Sequence, residues 1–222
     1  MTAFLNNIHH IAIDGLPGLG KGKLAKAISN YLEMNVLEEN TEENPYIIYG
    51  LAKLKNINFQ AQTYFTINRY QQLLELKQWD LFSHGIVADF SFERNLLYAQ
   101  AMLAENEYYI FEKMYNVLRK DISPPDAIIY LQTSPDFVLS SIENRNFEFE
   151  KRIIRKHIPL LNQMYNSFYF NQCLSPVLVI NCARTNLDSI SELEGILYAL
   201  KNMKRGVVRY IPQQLQNEDL LL

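Results

Sequence analysis

The chain has 222 residues, of which 48% are hydrophobic and 20% are charged, and its formal net charge is −3. This length and composition are typical of a globular protein with a large core. The small negative charge excludes a basic field spread over the molecule, so we expect neither nucleic acid nor a membrane as a partner and expect any phosphate site to be local.

Short apolar segments alternate with helical stretches along the chain. The apolar segments predict five strands, at residues 8–13, 35–37, 85–89, 127–131 and 177–181. Helical patterns cover residues 21–33, 59–78, 93–104, 107–120, 135–143, 150–170 and 188–203. This alternation is typical of a parallel sheet covered on both faces. We therefore predict an α/β fold with a five-stranded parallel sheet and helices on both faces, in one domain of residues 1–203 followed by a C-terminal tail of residues 204–222.

The first predicted strand runs directly into a glycine-rich loop that opens a helix. Its sequence, Gly15-Leu16-Pro17-Gly18-Leu19-Gly20-Lys21, fits the P-loop pattern G-x-x-x-x-G-K. Glycines let the backbone curl so that several N–H groups converge on one anion at the start of the helix. We predict that residues 15–22 bind the phosphates of ATP and that Lys21 places its charge beside the transferred phosphate.

The P-loop pattern is incomplete at its last position. The pattern ends in Ser or Thr, whose hydroxyl ligates magnesium, but this chain has Gly22 there. Mg²⁺ keeps several waters and binds through carboxylates and substrate phosphates, so we expect it to be used but held more weakly. Asp89, at the end of the third strand, is the predicted metal ligand.

Polar residues after the second strand and on the following helix are candidates for the chemistry. Glu39 follows the second strand, so it is expected at the carboxyl edge of the sheet, where ligands bind in open α/β folds. Gln62 and Arg69 lie seven residues apart on one helix and share a face. A carboxylate suits a general base and an amide suits the edge of a nucleobase. The alternatives are a solvated acidic loop and a solvated helix face.

Four segments, in order along the chain, resemble the deoxynucleoside kinase family, especially its bacterial deoxyadenosine and deoxyguanosine kinases. They are the P-loop, residues 39–46 (ENTEENPY), residues 59–69 (FQAQTYFTINR) and residues 89–94 (DFSFER). The resemblance covers about residues 8–181. It implies transfer of the γ-phosphate of ATP to the 5′-hydroxyl of a deoxynucleoside, in nucleotide salvage.

The resemblance also implies roles for individual residues. Glu39 is then the general base and Arg69 orients Glu39 and the 5′-hydroxyl, while Lys21 and the lid residue Arg145 neutralise the γ-phosphate. Gln62 reads the base. The remaining substrate-binding candidates are Tyr64, Asp89 and Arg94.

Members of this family are commonly dimers, so a homodimer is expected. Two apolar-rich helices, at residues 93–104 and 107–120, carry more apolar residues than one sheet face needs. The candidates for contact with a twin are Leu96, Leu97, Met102, Leu103, Tyr108, Tyr109, Ile110 and Phe111.

The predicted lid departs from the family. Ser141 and Phe147 stand where arginine is expected. Two alternatives therefore stay open: a catalytically weak, kinase-like nucleotide-binding subunit, and another small-molecule P-loop kinase such as a nucleoside monophosphate kinase. A monophosphate acceptor calls for extra arginines in the acceptor site.

Cysteine usage and the N-terminus bear on location. Cys173 and Cys182 are expected to be unpaired thiols in a reduced compartment, although a disulfide between them is conceivable. The first residues lack the pattern of a signal peptide and no apolar run is long enough to span a bilayer. We therefore expect a cytoplasmic protein.

Overall fold

The computed structural model describes residues 8–39, 44–46, 58–79, 85–143 and 154–212. In this part of the chain, six parallel strands form one sheet in the order β2-β3-β1-β4-β5-β6. The strands are β1 (His10–Gly15), β2 (Asn35–Leu37), β3 (Ile86–Ala88), β4 (Ala127–Gln132), β5 (Val177–Asn181) and β6 (Val207–Arg209).

Helices connect the strands and confirm the predicted α/β alternation. They are α1 (Lys21–Leu32), α2 (Asn58–Trp79), α3 (Arg94–Met102), α4 (Glu105–Leu118), α5 (Pro135–Glu143), α6 (Ile158–Asn171) and α7 (Ile190–Asn202), with short 3-10 helices at Arg119–Asp121 and Arg155–His157. None of the helices in the described ranges combines the length and the apolar character that crossing a membrane requires.

The centre of the sheet is fully buried because helices cover both of its faces. In β1, Ile11 pairs with Val87 of β3 on one side and Ala127 of β4 on the other. Ile11 and the two residues after it have no exposed surface. A strand buried on both faces reads as a continuous apolar run, which is why β1, β4 and β5 were predictable from the sequence.

The prediction of five strands is wrong by one. Residues 207–209, inside the segment predicted to be a tail, form β6 and pair with β5 from Val177 to Val179. Just beyond it, Tyr210 is buried and its hydroxyl donates a hydrogen bond of 2.6 Å to Glu192 of α7. All three residues of β6 are exposed, so this edge strand lacks the buried apolar run that marks the central strands β1, β4 and β5.

The apolar surplus of α3 and α4 is largely used inside the fold. A second core cluster between α2, α3 and α4 contains Phe111, with Leu96, Leu103 and Tyr108 packed against it. Leu97 and Met102 are buried as well. Of the eight residues proposed to face a twin, Tyr109 and Ile110 are the large hydrophobic side chains that stay exposed, at 57% and 58%. The composition of these helices therefore reflects a second core more than an interface.

Candidate active site

The phosphate loop joins β1 to α1 at the carboxyl edge of the sheet, as predicted. Gly18 and Gly20 have φ values of +82° and +75°, a region that favours glycine. Gly20 precedes the first turn of α1, which is capped by no side chain of the described residues and contains no acidic residue. The first N–H groups of α1 are therefore available to an anion, and the helix dipole favours one there.

Lys21 lies inside this loop. Its Nζ donates a hydrogen bond of 2.8 Å to the carbonyl oxygen of Leu16. Burial, reinforced by the nearby charge of Arg94, lowers the pKa of Lys21 to about 8. The ammonium group is thus held within the loop that is predicted to bind phosphates.

The position of Gly22 is faced by two carboxylates. A Cβ placed on Gly22 would lie 3.2 Å from Oδ2 of Asp89 and 3.4 Å from Oε1 of Glu38. Among the described residues, no group of three or more His, Cys, Asp or Glu side chains is arranged to hold a metal. Mg²⁺ at phosphate sites commonly uses one or two carboxylates together with phosphate oxygens and water. The carboxylates around Gly22 fit such an ion, and one of them belongs to Asp89, the metal ligand predicted from the sequence.

Glu39 is held between two arginines. Arg94 Nη1 lies 2.6 Å from Oε2 of Glu39, and Arg69 Nη2 donates a hydrogen bond to Oε1. Arg69 also hydrogen-bonds to the side chain of Asn95, and its guanidinium lies 5.2 Å from the ring centroid of Phe65. Each carboxylate oxygen of Glu39 therefore contacts one buried guanidinium, an arrangement that fixes its orientation.

The charge state of Glu39 follows from these contacts. Burial acts to raise the pKa of the carboxyl, but the charges of Arg69 and Arg94 outweigh it and hold the pKa below its ordinary value. Glu39 is therefore ionised at neutral pH and can accept a proton. This geometry excludes the solvated-loop alternative for Glu39.

Asp89 connects the end of β3 to the segment after β2. Its Oδ1 accepts a hydrogen bond of 2.9 Å from the backbone N–H of Glu39, and its own N–H donates one of 3.0 Å to Leu37. Burial raises the pKa of the Asp89 carboxyl. The predicted metal ligand and the predicted base thus lie side by side.

The residues predicted to read the base lie on α2, toward the N-terminus from Arg69. Gln62 is buried, and its Nε2 has the weak acceptor Sδ of Met102 at 3.5 Å. Tyr64 is partly buried and its ring lies edge-on to that of Tyr46, with 6.4 Å between centroids. Gln62 and Arg69 both face inward, so the solvated-face alternative is wrong for this pair.

Several residues have contacts that the sequence analysis did not predict. Arg94, predicted to bind substrate, contacts Glu39, the buried Asp14 and the carbonyl oxygen of Gly15. Asp14 was missed, although a carboxylate in an apolar strand just before the phosphate loop was a signal. Ser141 donates a hydrogen bond of 2.9 Å to the carbonyl oxygen of Gly18. Arg145 and Phe147 lie outside the described residues.

The fold and this site define a class of protein. A phosphate loop opening a helix, with an ionised carboxylate and buried cations at the same sheet edge, is the arrangement of a P-loop phosphotransferase. The chain belongs to the deoxynucleoside kinase family, whose family model matches residues 11–203.

Individual relatives agree with this assignment. The chain is 30% identical over 162 residues to deoxyguanosine kinase of Bacillus subtilis, covering 72% of this chain and 78% of the relative. It is 31% identical over 181 residues to deoxyadenosine kinase of Dictyostelium discoideum, covering 78% of this chain and 71% of the relative.

Solved structures extend the similarity to three dimensions. The structure of deoxyadenosine kinase from M. mycoides with bound dATP matches at a TM-score of 0.73 and 27% identity, covering 87% of this chain and 100% of the other. The structure of the same kinase with the products dCMP and dCDP matches at a TM-score of 0.74 and 26% identity, covering 87% of this chain and 99% of the other.

Proposed function

We propose that this chain transfers the γ-phosphoryl group of ATP to the 5′-hydroxyl of a purine deoxynucleoside, in nucleotide salvage. The observation that carries the proposal is Glu39, an ionised carboxylate fixed by two buried arginines at the sheet edge that also carries the phosphate loop. The relatives that are named as deoxyguanosine and deoxyadenosine kinases support a purine acceptor.

The proposed mechanism assigns a step to each part of the site. Glu39 accepts the proton of the 5′-hydroxyl as the hydroxyl oxygen bonds to the γ-phosphorus, and Arg69 keeps the carboxylate in place. The bond between the γ-phosphorus and the β–γ bridging oxygen breaks, and ADP is the leaving group. Lys21 and the backbone N–H groups at the start of α1 stabilise the charge that develops on the transferred group. Arg145 is proposed to add a second cation from the lid. Mg²⁺, bound to the ATP phosphates and to Asp89, would supply further charge neutralisation.

The acceptor is proposed to bind along the inner face of α2. Gln62 offers both a donor and an acceptor to the edge of the base. Its present partner, a thioether sulfur, is a weak acceptor that a nucleobase can replace at little cost. Tyr64 is proposed to line the base pocket. Arg94 contributes through Glu39, because its polar atoms already contact protein groups.

A coupled kinase assay with ATP and Mg²⁺ tests the proposal. The acceptors are the four deoxynucleosides, with dAMP added to test the monophosphate alternative. We expect phosphorylation of deoxyguanosine or deoxyadenosine and none of dAMP. Phosphorylation of dAMP alone would establish a monophosphate kinase. ATP binding without turnover on any acceptor would replace the proposal with the kinase-like subunit.

We further propose a cytoplasmic homodimer. The exposed apolar residues Tyr109, Ile110 and Val117 of α4 support a contact surface on that helix. Cys173 and Cys182 are free thiols, which supports a reducing compartment. Sedimentation at micromolar concentration tests the dimer, and a monomer there would contradict it. Cell fractionation tests the location.

A further inference from the structure

Asp14 is a fully buried carboxylate directly before the phosphate loop. It has no exposed surface, and it accepts hydrogen bonds from four groups at 2.6 to 2.9 Å: the N–H of Gly15, the hydroxyls of Ser91 and Tyr169, and the Nε of Arg94. These donors come from β1, the segment after β3, α3 and α6. A buried charge is tolerated only when it is paired and hydrogen-bonded in this way.

Arg94 joins Asp14 to the proposed base. Its Nε and Nη2 both lie 2.9 Å from Oδ1 of Asp14, while Nη1 lies 2.6 Å from Oε2 of Glu39. Nη2 also lies within 3.3 Å of the carbonyl oxygen of Gly15. The guanidinium plane is therefore fixed on one edge by Asp14 and presents its remaining nitrogen to Glu39.

The charges of Glu39 and its two arginines balance only when Asp14 is included. Glu39 alone faces two guanidiniums, those of Arg69 and Arg94. Asp14 supplies the second negative charge, so that two carboxylates face two guanidiniums in a buried site. Without it, Arg94 would lose its anchor and the group would carry an uncompensated buried charge, which is strongly unfavourable.

We infer that Asp14 is a positioning residue for phosphoryl transfer, which it serves by fixing Arg94 so that Arg94 holds the carboxylate of Glu39 in its reactive orientation. This inference rests on the proposed function. Asp14 does not contact the reacting groups itself. Its effect is therefore transmitted through Arg94 and is expected in kcat, since the ATP phosphates are proposed to bind Lys21 and the N–H groups at the start of α1, and not Asp14 or Arg94.

The first test compares variants that alter the same buried group. Asp14→Asn keeps the shape but removes the charge that anchors Arg94, and it is expected to lower kcat by about 10- to 100-fold. KM for ATP is expected to change by less than about threefold. Tyr169→Phe and Ser91→Ala each remove one hydrogen bond to Asp14 but leave the ion pair. They are expected to lower the unfolding temperature while keeping kcat within about threefold of the wild type.

The second test asks whether Asp14 acts through Arg94. Arg94→Met lowers kcat by itself, and adding Asp14→Asn to it is expected to cost no more than about twofold further, because the anchored group is already gone. The double variant removes both members of the ion pair, so it also serves if Asp14→Asn alone does not fold. A full additional loss of 10-fold or more in the double variant would overturn the inference.

The outcomes separate this inference from the proposed function. If the wild type turns over and Asp14→Asn keeps its kcat, the inference fails alone. If kcat falls in parallel with the unfolding temperature across Asp14→Asn, Tyr169→Phe and Ser91→Ala, Asp14 has only a structural role and the inference also fails. If the wild type binds ATP but shows no turnover, the proposed function is wrong, and the inference, which rests on it, is wrong as well.

Discussion

The backbone N–H of Glu39 donates a hydrogen bond of 2.9 Å to the carboxylate of Asp89. This contact joins the segment after β2 to the end of β3, which are 50 residues apart in sequence and neighbours in the sheet. It places the proposed base beside the proposed metal ligand. Because the donor is the backbone of Glu39, a substitution of the Asp89 side chain is expected to disturb Glu39, whereas Glu39→Gln should leave this hydrogen bond in place.

Glu39→Gln is expected to lower kcat by about 10²- to 10⁴-fold, because an amide cannot accept the proton. The Kd for ATP should stay nearly unchanged. The unfolding temperature should also fall, since the buried guanidiniums of Arg69 and Arg94 each lose one ion pair, although Arg94 keeps its ion pair with Asp14. Steady-state kinetics and ATP titration measure these effects. Glu75→Gln, an exposed residue on α2, is the matched control and should behave as the wild type. Full activity of Glu39→Gln would exclude this residue as the base.

ATP affinity is expected to weaken as the pH rises from 7 to 9. The pKa of Lys21 is lowered to about 8 in the free protein, so the ammonium is present below that pH and is lost above it. Binding to the neutral lysine first requires a proton, which weakens affinity by up to about tenfold per pH unit above the pKa. Lys21→Arg stays charged throughout and should show a flatter profile. Equal slopes for the two proteins would mean that Lys21 does not set the pH dependence.

Gly22→Ser is expected to lower the Mg²⁺ concentration needed for half-maximal activity. The new Cβ would lie 3.2 Å from Asp89 Oδ2 and 3.4 Å from Glu38 Oε1, so the hydroxyl fits after a small shift of the carboxylates. It would replace a water with a direct ligand. Gly22→Ala adds the same Cβ without the hydroxyl and is the matched control. If both variants respond alike to Mg²⁺ titration, the hydroxyl is not a ligand.

Gly18→Ala is expected to destabilise the phosphate loop. Gly18 has a φ of +82°, and its new Cβ would lie 2.9 Å from the hydroxyl oxygen of Ser141. The left-handed backbone alone costs about 1 to 2 kcal/mol of unfolding free energy. Ser141→Ala removes the clash but not the backbone cost, so the double variant should recover part of the loss in a denaturant titration. No recovery would show that the contact with Ser141 is unimportant.

Gln62→Ala is expected to raise KM for the deoxynucleoside about tenfold and to leave KM for ATP unchanged, because it removes hydrogen bonds to the base alone. Gln60→Ala is the matched control, since Gln60 is exposed on the same helix. Equal effects of the two substitutions on deoxynucleoside KM would contradict a base-reading role for Gln62. Steady-state kinetics with each substrate varied in turn makes the measurement.

The sequence by itself determined the features that depend on neighbouring residues. The phosphate loop needs glycines in the left-handed region and a helix directly after it, and residues 15–22 encode both. Strands buried on both faces require apolar runs, so β1, β4 and β5 were found within two residues of their ends. The position of Glu39 at the carboxyl edge followed from the same alternation of strands and helices.

Only the tertiary structure decided which partners these residues have. The contacts of Asp14 with Arg94, Ser91 and Tyr169 span 80, 77 and 155 residues, and no local pattern encodes such pairings. The edge strand β6 was missed because pairing with β5, and not burial of its side chains, places it in the sheet. The apolar residues of α3 and α4 suggested an interface, but six of the eight residues named for it are wholly or partly buried, most of them against the main core or the second core. Local composition fixes how much apolar surface must be covered, whereas packing between distant segments fixes what covers it.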